Sequence, residues 1–421
     1  MNWKNDLNAE LVEKMEMIEE KIAPKRAEIQ ERALNNQMKV LEAFRHRNVN
    51  EGHFQYSSGY GFDDMGRDVL DAIYAEAFGA EAAIVRPQII SGTHAIATAL
   101  MGVLRPSDEL CYITGEPYDT LQEVIGITGD KVGSLADYNI SYSQVDLLEN
   151  GHPDLEGIRR HLEQNQAIKV VGIQRSRGYA LRPSLVMDEI KEMIDAVRSV
   201  RDDVIIFVDN CYGEFSEEVE PTEIGADLMA GSLIKNPGAG IVPTGGYIAG
   251  RKRYVEMSAI QLTAPGIGVE EGAMLSITPT MLQGFFMAPH MVSQAIQGAI
   301  FTAALLESYG MKADPIWSAP RTDLIQTVEF GNREDMVTFC QAIQHYSPIN
   351  ANVQPEPAAM PGYEDEIIMA SGSFVQGATA ELSCDGPVRP PYRLYIQGGL
   401  SYEHIKVAIA HAVNEIVYGK E

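Results

Sequence analysis

Two ionisable residues in apolar surroundings are the first candidates for chemistry in this sequence. Lys235 lies in a stretch made otherwise mostly of small and apolar residues, "GSLIKNPGAGIVPTGGYIAG" at 231–250. Partial burial disfavours the ammonium form of a lysine, so its amine becomes available as a nucleophile toward a carbonyl. Asp209 ends the strand-like run "VIIFVDN". An acid at the carboxyl end of a buried parallel strand lies at the edge where open α/β sheets hold ligands.

A third signal is the segment "QIISGTHAIATAL" at 88–100. A helix that starts with small residues exposes backbone N–H groups to a phosphate. Pyridoxal phosphate needs these elements together: a lysine for its aldehyde, an acid for its ring nitrogen and a phosphate site. Each signal alone also has an ordinary interpretation: a Ser or Thr helix cap, an acid that caps a turn, or a lysine that reaches the surface.

Other catalytic signatures are absent from the sequence. "GYGFDDMG" and "GAGIVPTGG" lack the GxGxxG spacing, and GxxxxGK[ST], HExxH and GxSxG do not occur. Ser232 and Lys235 form an S-x-x-K pair, but no SDN or KTG follows it. Dinucleotide, P-loop, zinc-protease and serine-hydrolase chemistry are therefore disfavoured.

Composition limits the partners and the compartment. The chain has 421 residues and a formal charge of -26, from 33 basic and 59 acidic residues, which argues against nucleic acid and anionic membranes as partners. The four cysteines form no CxxC pair, so we expect a reduced, cytoplasmic protein without structural zinc. The acidic N-terminus is unlike a signal peptide, and polar residues interrupt the longest apolar region, 281–306.

The pattern of elements predicts an α/β protein. A helix is predicted at 7–46, divided at Pro24, and then helices alternate with the strand-like runs "AAIVRP", "ELCYI", "KVVGIQ", "VIIFVDN" and "GGYIAG". Such alternation favours a mostly parallel sheet covered on both faces. After a long helical stretch at 270–309, strands and helices are segregated. We expect an N-terminal helical segment at 1–50, a large α/β domain at 51–300 and a small C-terminal α+β domain at 301–421.

At this point the sequence resembles a known class of enzymes. The ordered segments "SGTHA", "PYDT", "VDNCYGEF", "SLIKN" and "RLYIQGGL" are similar to those of fold-type I pyridoxal-phosphate enzymes of the cystathionine and methionine lyase class. The longer segments "GYGFDDMGRD", "SLIKNPGAGIVPTGGYIAG" and "RPPYRLYIQGGL" resemble the methionine γ-lyase-like, or aluminium-resistance, branch. The resemblance covers nearly the whole chain and implies pyridoxal 5′-phosphate as the cofactor.

The resemblance implies roles for five residues around the cofactor. Lys235 would bind the aldehyde covalently and later carry the proton removed from the substrate's Cα. Asp209 would pair with the ring nitrogen. Gly92 and Thr93 would offer backbone N–H groups to the phosphate, and Ser232 would add its hydroxyl.

Further residues are implied for the substrate and for a neighbouring subunit. Tyr118 would stack on the cofactor ring and act as an acid toward the leaving group, although "YDTL" replaces the usual "YGGT". Arg393 would grip the substrate's α-carboxylate with its guanidinium fork. Tyr60 and Arg67 would reach the cofactor phosphate of a neighbouring subunit, with a longer spacing than the usual Tyr-x-Arg. A homodimer or homotetramer with active sites at the dimer interface is therefore expected.

The implied activity is a carbon–sulfur lyase that releases a thiol from a sulfur amino acid and gives a 2-keto acid and ammonia. Two alternatives stay open: another pyridoxal-phosphate reaction, such as replacement or transamination, or a non-catalytic metal-tolerance protein. The segment "QRSRGYALRPS" at 174–184 replaces the "NPT"-type turn of the common lyases. Its residues Arg175, Ser176 and Arg177 either touch phosphate or substrate or cap a turn.

Overall fold

A computed structural model describes residues 2–359 and 365–419, and the chain forms two compact units. The larger unit consists of Asn36–Leu233 and Thr244–Phe286, and the smaller unit of Met1–Asn35, Ile234–Pro243 and Met287–Glu421. This grouping differs from the predicted segments, because the N-terminal helix is bonded to the C-terminal part of the chain. The Arg26 Nε donates to Gln297 Oε1 at 3.0 Å, and the Asn8 backbone N–H donates to Asn414 Oδ1 at 2.9 Å.

The larger unit is built on a seven-stranded sheet of order β1-β7-β6-β5-β4-β2-β3. Strands β6, β5, β4, β2 and β3 run parallel, and β7 is antiparallel to both β1 and β6. The strands are β1 (Ala82–Arg86), β2 (Glu109–Tyr112), β3 (Ser141–Gln144), β4 (Ile168–Gln174), β5 (Ile205–Asp209), β6 (Leu228–Ser232) and β7 (Gly246–Gly250). The mostly parallel α/β fold predicted from the sequence is thereby confirmed.

Helices cover this sheet because its strands are apolar on both faces, as β5 and β6, buried at every position, show. They are α2 (Met65–Ala77), α3 (Gly92–Val103), α4 (Asp119–Ile125), α5 (Leu155–Gln164), α6 (Met187–Val200) and α7 (Lys252–Leu262). Helix α3 packs closely on α7, since a Cβ at Gly102 would lie 2.8 Å from the Ser258 Cα. One core of aliphatic and aromatic side chains from β1, α3, β2, β5 and α7 results.

The smaller unit contains a five-stranded antiparallel sheet of order β10-β11-β12-β9-β8. Its strands are β8 (Lys312–Asp314), β9 (Ile325–Glu329), β10 (Ile367–Ser371), β11 (Ser383–Pro387) and β12 (Arg393–Gln397), and its helices are α9 (Arg333–His345) and α10 (Tyr402–Tyr418). The predicted α+β arrangement is thus present. The run "ATAELSC" at 378–384 predicts a strand, but the strand in the structure, β11, starts only at Ser383.

Two long helices complete the chain: α1 (Ala9–His46) and α8 (Thr278–Ser308). Helix α1 continues through Pro24, so the predicted division at this residue is wrong. A proline inside a helix removes one backbone hydrogen bond, and the buried Ile18, Ile22 and Ile29 anchor the turns on either side. Within residues 2–359 and 365–419, no helix is both long and apolar enough to cross a membrane.

Candidate active site

The carboxyl ends of two neighbouring parallel strands form the centre of the candidate site. Asp209 is the last residue of β5 and pairs in register with Ala230 of β6, which ends at Ser232. Both polar side chains are buried, Asp209 being 7 % and Ser232 1 % exposed. The Asp209 Oδ1 accepts a hydrogen bond from the Cys211 backbone N–H at 3.1 Å, which fixes the carboxylate at this edge.

The predicted phosphate turn meets this edge. Helix α3 begins at Gly92, and the Ser91 hydroxyl caps it by accepting from the His94 backbone N–H at 3.1 Å. The capping interpretation is therefore correct, and it leaves the first-turn N–H groups of Gly92 and Thr93 without acceptors inside the helix. A Cβ at Gly92 would lie 3.1 Å from the Cys211 Sγ and 3.4 Å from the Ser232 Cβ. Three segments far apart in sequence thus come together.

A protein recognises pyridoxal phosphate by its phosphate, its ring nitrogen and its aldehyde, and these residues have the chemistry to bind the first two. The N-terminus of α3 and the Ser232 hydroxyl are donors for a phosphate, and Asp209 is an acid for a ring nitrogen. The Tyr112 hydroxyl is buried near Asp209 and has no hydrogen-bond partner among the described residues. Burial, reinforced by the Asp209 carboxylate, raises the pKa of Tyr112 well above its usual value, so this phenol stays protonated.

Tyr118 lies at the start of α4, on the same unit. Its backbone N–H donates to the Gln174 Oε1 at 2.8 Å, and Gln174 is the last residue of β4. The half-buried ring packs on the turn after β4, where a Cβ at Gly178 would lie 2.8 Å from the ring. The hydroxyls of Thr93 and Thr120 are hydrogen-bonded at 2.8 Å, which links the α3 and α4 turns.

Lys235 follows the end of β6 and belongs to the smaller unit. It is half-buried and precedes a short 3-10 helix, and its carbonyl accepts from the Gly238 N–H at 3.2 Å.

The glycine-rich run after Lys235 has a packing role. Gly240 has a φ of 75° and leaves no room for a side chain, because a Cβ there would lie 2.4 Å from the Leu400 Cδ2. Gly246, at the start of β7, would place a Cβ 2.5 Å from Ile89. Close approach of the backbone to its neighbours therefore explains these glycines.

Arg393 is the first residue of β12 and pairs in register with Glu329 of β9. Its Nη2 donates to the Glu329 carboxylate, which also accepts from Lys312 Nζ at 3.1 Å. Burial acts to raise the pKa of Glu329, but the hydrogen bonds from Arg393 and Lys312 outweigh it and hold the pKa below its ordinary value. The Arg393 Nε is buried and has no hydrogen-bond partner among the described residues.

Tyr60 and Arg67 differ sharply in exposure. Tyr60 is 66 % exposed and stacks on Phe62, with ring centroids 5.3 Å apart. The buried Arg67 instead donates from Nη1 to the Gly61 carbonyl at 2.8 Å and from Nε to Asp68 at 3.0 Å. These contacts hold the shape of the loop that presents Tyr60.

Sequence reasoning missed two polar residues that organise this edge of the sheet. Gln174 positions Tyr118, and its polar side chain at the end of an apolar strand was a usable signal. Asn210, directly after Asp209, is fully buried and hydrogen-bonded to several side chains, which a single sequence does not reveal. In the described ranges, no group of three or more His, Cys, Asp or Glu side chains is arranged to hold a metal ion.

With this geometry established, comparison with known proteins defines the family. Residues 11–417 match the methionine gamma-lyase family, and the chain belongs to it. The fold is that of fold-type I pyridoxal-phosphate enzymes, and the chain is a lyase whose cofactor is pyridoxal 5′-phosphate. The predicted family, fold class and cofactor are confirmed.

Similar proteins span nearly the same length. An uncharacterised Bacillus subtilis protein, YnbB, is 55 % identical over 412 residues, which cover 97 % of each chain. A crystal structure from Listeria monocytogenes, described as a candidate cystathionine β-lyase involved in aluminium resistance, is 57 % identical with a TM-score of 0.95, covering 96 % of this chain and 99 % of that one. A Clostridium novyi structure described as a carbon–sulfur lyase involved in aluminium resistance is 45 % identical with a TM-score of 0.94, covering 98 % and 97 %.

The Arg393–Glu329 pair generates a pH prediction. Because the pKa of Glu329 is lowered in the folded protein, its contribution to stability is present above the ordinary value of 4.5 and is lost as the pH falls through the lowered pKa. At pH 7 the Glu329→Gln variant should be about 1 kcal/mol less stable, or about 1 °C lower in thermal midpoint. The difference from wild type should shrink between about pH 5 and pH 3, measured by differential scanning calorimetry.

The exposed Glu356 in the same unit provides a matched control. A Glu356→Gln variant should follow wild type within about 0.5 °C at every pH, since surface substitutions of this kind change stability little. A gap between wild type and Glu329→Gln that stays constant or widens toward pH 3 would contradict the ion-pair assignment.

Proposed function

We propose that this protein is a carbon–sulfur lyase acting on an amino acid that carries sulfur at Cβ or Cγ. The observation that carries the proposal is the convergence of Gly92, Cys211 and Ser232 beside Asp209 at one edge of the parallel sheet. Family membership, and the description of the Clostridium novyi protein as a carbon–sulfur lyase, support the reaction class. When bound, pyridoxal phosphate supplies an electron sink for the charge that forms at the substrate's Cα.

Four residues of the larger unit hold the cofactor in this proposal. The backbone N–H groups of Gly92 and Thr93 and the Ser232 hydroxyl donate to the phosphate, where the partial positive charge of the α3 N-terminus adds to the attraction. The Asp209 carboxylate accepts a hydrogen bond from the ring nitrogen and favours its protonated form. Both groups come from rigid elements, a helix start and a strand end, and are held before the substrate binds.

Lys235, Tyr118 and Arg393 act on the substrate. The Lys235 amine would hold the cofactor by its aldehyde, and as a general base it would remove the proton from the substrate's Cα. The Tyr118 ring would help to hold the cofactor ring, and its hydroxyl would give a proton to the departing sulfur. The Arg393 guanidinium binds the α-carboxylate through the donors that Glu329 does not use.

The overall reaction balances with water as the co-reactant. The Cα–H and carbon–sulfur bonds break, and the sulfur leaves as a thiol with one proton. Water then hydrolyses the released enamine, which gives a 2-keto acid and ammonium. Elimination at Cβ of cystathionine would give pyruvate and homocysteine, whereas elimination at Cγ would give 2-oxobutyrate and cysteine.

Product analysis tests this proposal. The cofactor-loaded protein should form a 2-keto acid, ammonium and a sulfur-containing product from at least one of cystathionine, cystine and methionine, with products identified by mass spectrometry. The Lys235→Ala variant should lose at least about a thousandfold in kcat, because it lacks both the covalent attachment and the base. The exposed Lys252→Ala variant is the matched control and should keep wild-type activity.

Two outcomes would count against the lyase reaction. If the wild-type protein with bound cofactor forms no 2-keto acid from any of the three substrates, carbon–sulfur cleavage is not its activity. Transfer of the amino group to an added 2-keto acid, without release of thiol, would favour transamination instead.

We further propose that the protein acts as a homodimer or a larger homo-oligomer. An aromatic loop, defined here as residues 54–65, exposes the large side chains of Phe54, Tyr56, Tyr60, Phe62 and Met65. The loop is held in place, since the Gly272 N–H donates to the Tyr60 carbonyl at 2.9 Å and the Asp64 carboxylate accepts from the Arg67 N–H at 2.9 Å. Contiguous exposed apolar surface of this kind marks interaction sites, and a second copy would bring Tyr60 to its neighbour's cofactor.

Replacing Phe62 by Ser should weaken self-association. Each copy would lose about 1.5–3 kcal/mol of apolar burial, and a two-fold interface doubles the loss, so the dissociation constant should rise at least about a hundredfold. Sedimentation velocity over a concentration series measures the change. Tyr138→Ser, at an equally exposed aromatic residue outside the aromatic loop, should leave the association unchanged. A monomeric wild-type protein at micromolar concentration would contradict the oligomer.

A further inference from the structure

The turn that follows Asp209 is tightly wound. Tyr212 and Phe215 both have positive φ angles, 71° and 59°, which non-glycine residues rarely adopt. At Gly213 a Cβ would lie 2.5 Å from the Arg175 Cδ, so only glycine fits. Such a turn needs support from elsewhere in the fold, because it is strained and follows directly on the carboxylate proposed to hold the cofactor ring.

Arg175 supplies this support from the end of the neighbouring strand, β4. Its side chain is fully buried, at 0 % exposure. Its Nη1 donates to Asn210 Oδ1 at 2.9 Å, and its Nη2 donates to Ser216 Oγ at 3.1 Å and to Glu217 Oε1 at 3.2 Å. Its backbone N–H donates to the Asp209 carbonyl at 3.2 Å. The same residue therefore contacts both the strand end that carries Asp209 and the turn that follows.

Glu220 closes the network from the far side of the turn. Its Oε2 accepts from Asn210 Nδ2 at 2.9 Å and lies 3.7 Å from Arg175 Nη1, and its Oε1 accepts from the Phe215 backbone N–H at 2.8 Å. Burial raises the pKa of Glu220, and the positive charge of Arg175 opposes that rise. Asn210 is thus held on both faces of its amide, by the arginine and by the glutamate.

We propose that Arg175 is a positioning residue for the cofactor: it acts through Asn210 and the 210–217 turn to keep the Asp209 carboxylate aimed at the ring nitrogen. This inference rests on the proposed function of Asp209 and adds a residue to it. It also assigns a role to a segment whose arginines the sequence left undecided between ligand contact and a turn cap. Arg175 contacts neither substrate nor cofactor in this assignment.

The test measures cofactor binding without turnover. Protein freed of cofactor is titrated with pyridoxal 5′-phosphate, and the dissociation constant is taken from the absorbance of the bound form. Arg175→Met should raise this constant about tenfold, because Asn210 and Ser216 lose their charged donor and the turn relaxes. Arg175→Lys keeps the charge but not the planar fork, and should raise it about threefold. Visible circular dichroism should weaken in both variants, because the ring is held less firmly.

Arg201, the residue that follows α6, offers a matched control because it contacts the start of β4. It is 9 % exposed, donates to the Ile168 carbonyl at 3.2 Å and is paired with Asp203, at the opposite end of β4 from Arg175. Arg201→Met should lower the thermal midpoint but leave the cofactor dissociation constant within about twofold of wild type. A merely structural role for Arg175 would give the same result as Arg201.

A double-mutant cycle locates the effect. If Arg175 acts through Asn210, the effects of Arg175→Met and Asn210→Ala on the dissociation constant should overlap, so the double variant should bind little worse than the weaker-binding single variant. Should Arg175→Met fail to fold, Arg175→Lys carries the comparison.

The outcomes separate the two claims. If wild type binds the cofactor and folded Arg175 variants bind it within twofold of wild type, the positioning role is overturned and the proposed function stands. An Arg201→Met effect as large as that of Arg175→Met would overturn it as well. If wild type itself binds no pyridoxal phosphate, the proposed function fails, and the inference fails with it.

Discussion

The pairing of β5 with β6 is the constraint on which the candidate site depends. Because the two strands run parallel and in register from Phe207–Leu228 to Asp209–Ala230, their carboxyl ends meet at one edge of the sheet. Asp209 and Ser232 are both buried at this edge, and the start of α3 lies against Ser232 and Cys211 through Gly92. Neither residue could be moved by one position without turning its side chain to the other face of the sheet. The register itself therefore fixes which chemistry this edge can support.

A buried carboxylate must be stabilised by hydrogen bonds, and residues around Asp209 provide them to the carboxylate itself and to the turn that follows. The Cys211 N–H holds one oxygen of the carboxylate, and the Arg175–Asn210–Glu220 network holds the turn that follows. Removing one partner of a buried charge pair costs about 3–5 kcal/mol, so such networks are costly to leave incomplete. The sheet of the smaller unit has a similar arrangement, in which the Glu329 carboxylate accepts hydrogen bonds from both Arg393 and Lys312. In both units, burial raises the cost of a charge and hydrogen bonds offset it.

Apolar periodicity predicted most strands of the larger sheet, and the acid at the end of one strand predicted its ligand edge. Features that depend on contacts across the fold were not predicted. Strands β1, β2, β4, β5 and β7 were recognisable as apolar runs, and Asp209 at the end of one of them pointed to the ligand edge. Strand β3, "SYSQ", is short and polar, and β6, "LMAGS", is rich in small residues, so neither has a clear pattern. The resemblance to a lyase family supplied the roles of Lys235, Tyr118 and Arg393. The roles of Arg175 and Asn210 depend on contacts across the fold, which no local pattern encodes.

The central claim is that the Lys235 amine is the covalent attachment point of pyridoxal 5′-phosphate. Borohydride reduction of the cofactor-loaded protein, followed by proteolysis and peptide mass spectrometry, tests it directly. The account predicts a reduced pyridoxyl-phosphate group on the peptide that contains Lys235 and loss of the label in the Lys235→Ala variant. A label on another lysine, or an unlabelled protein after reduction, would contradict it.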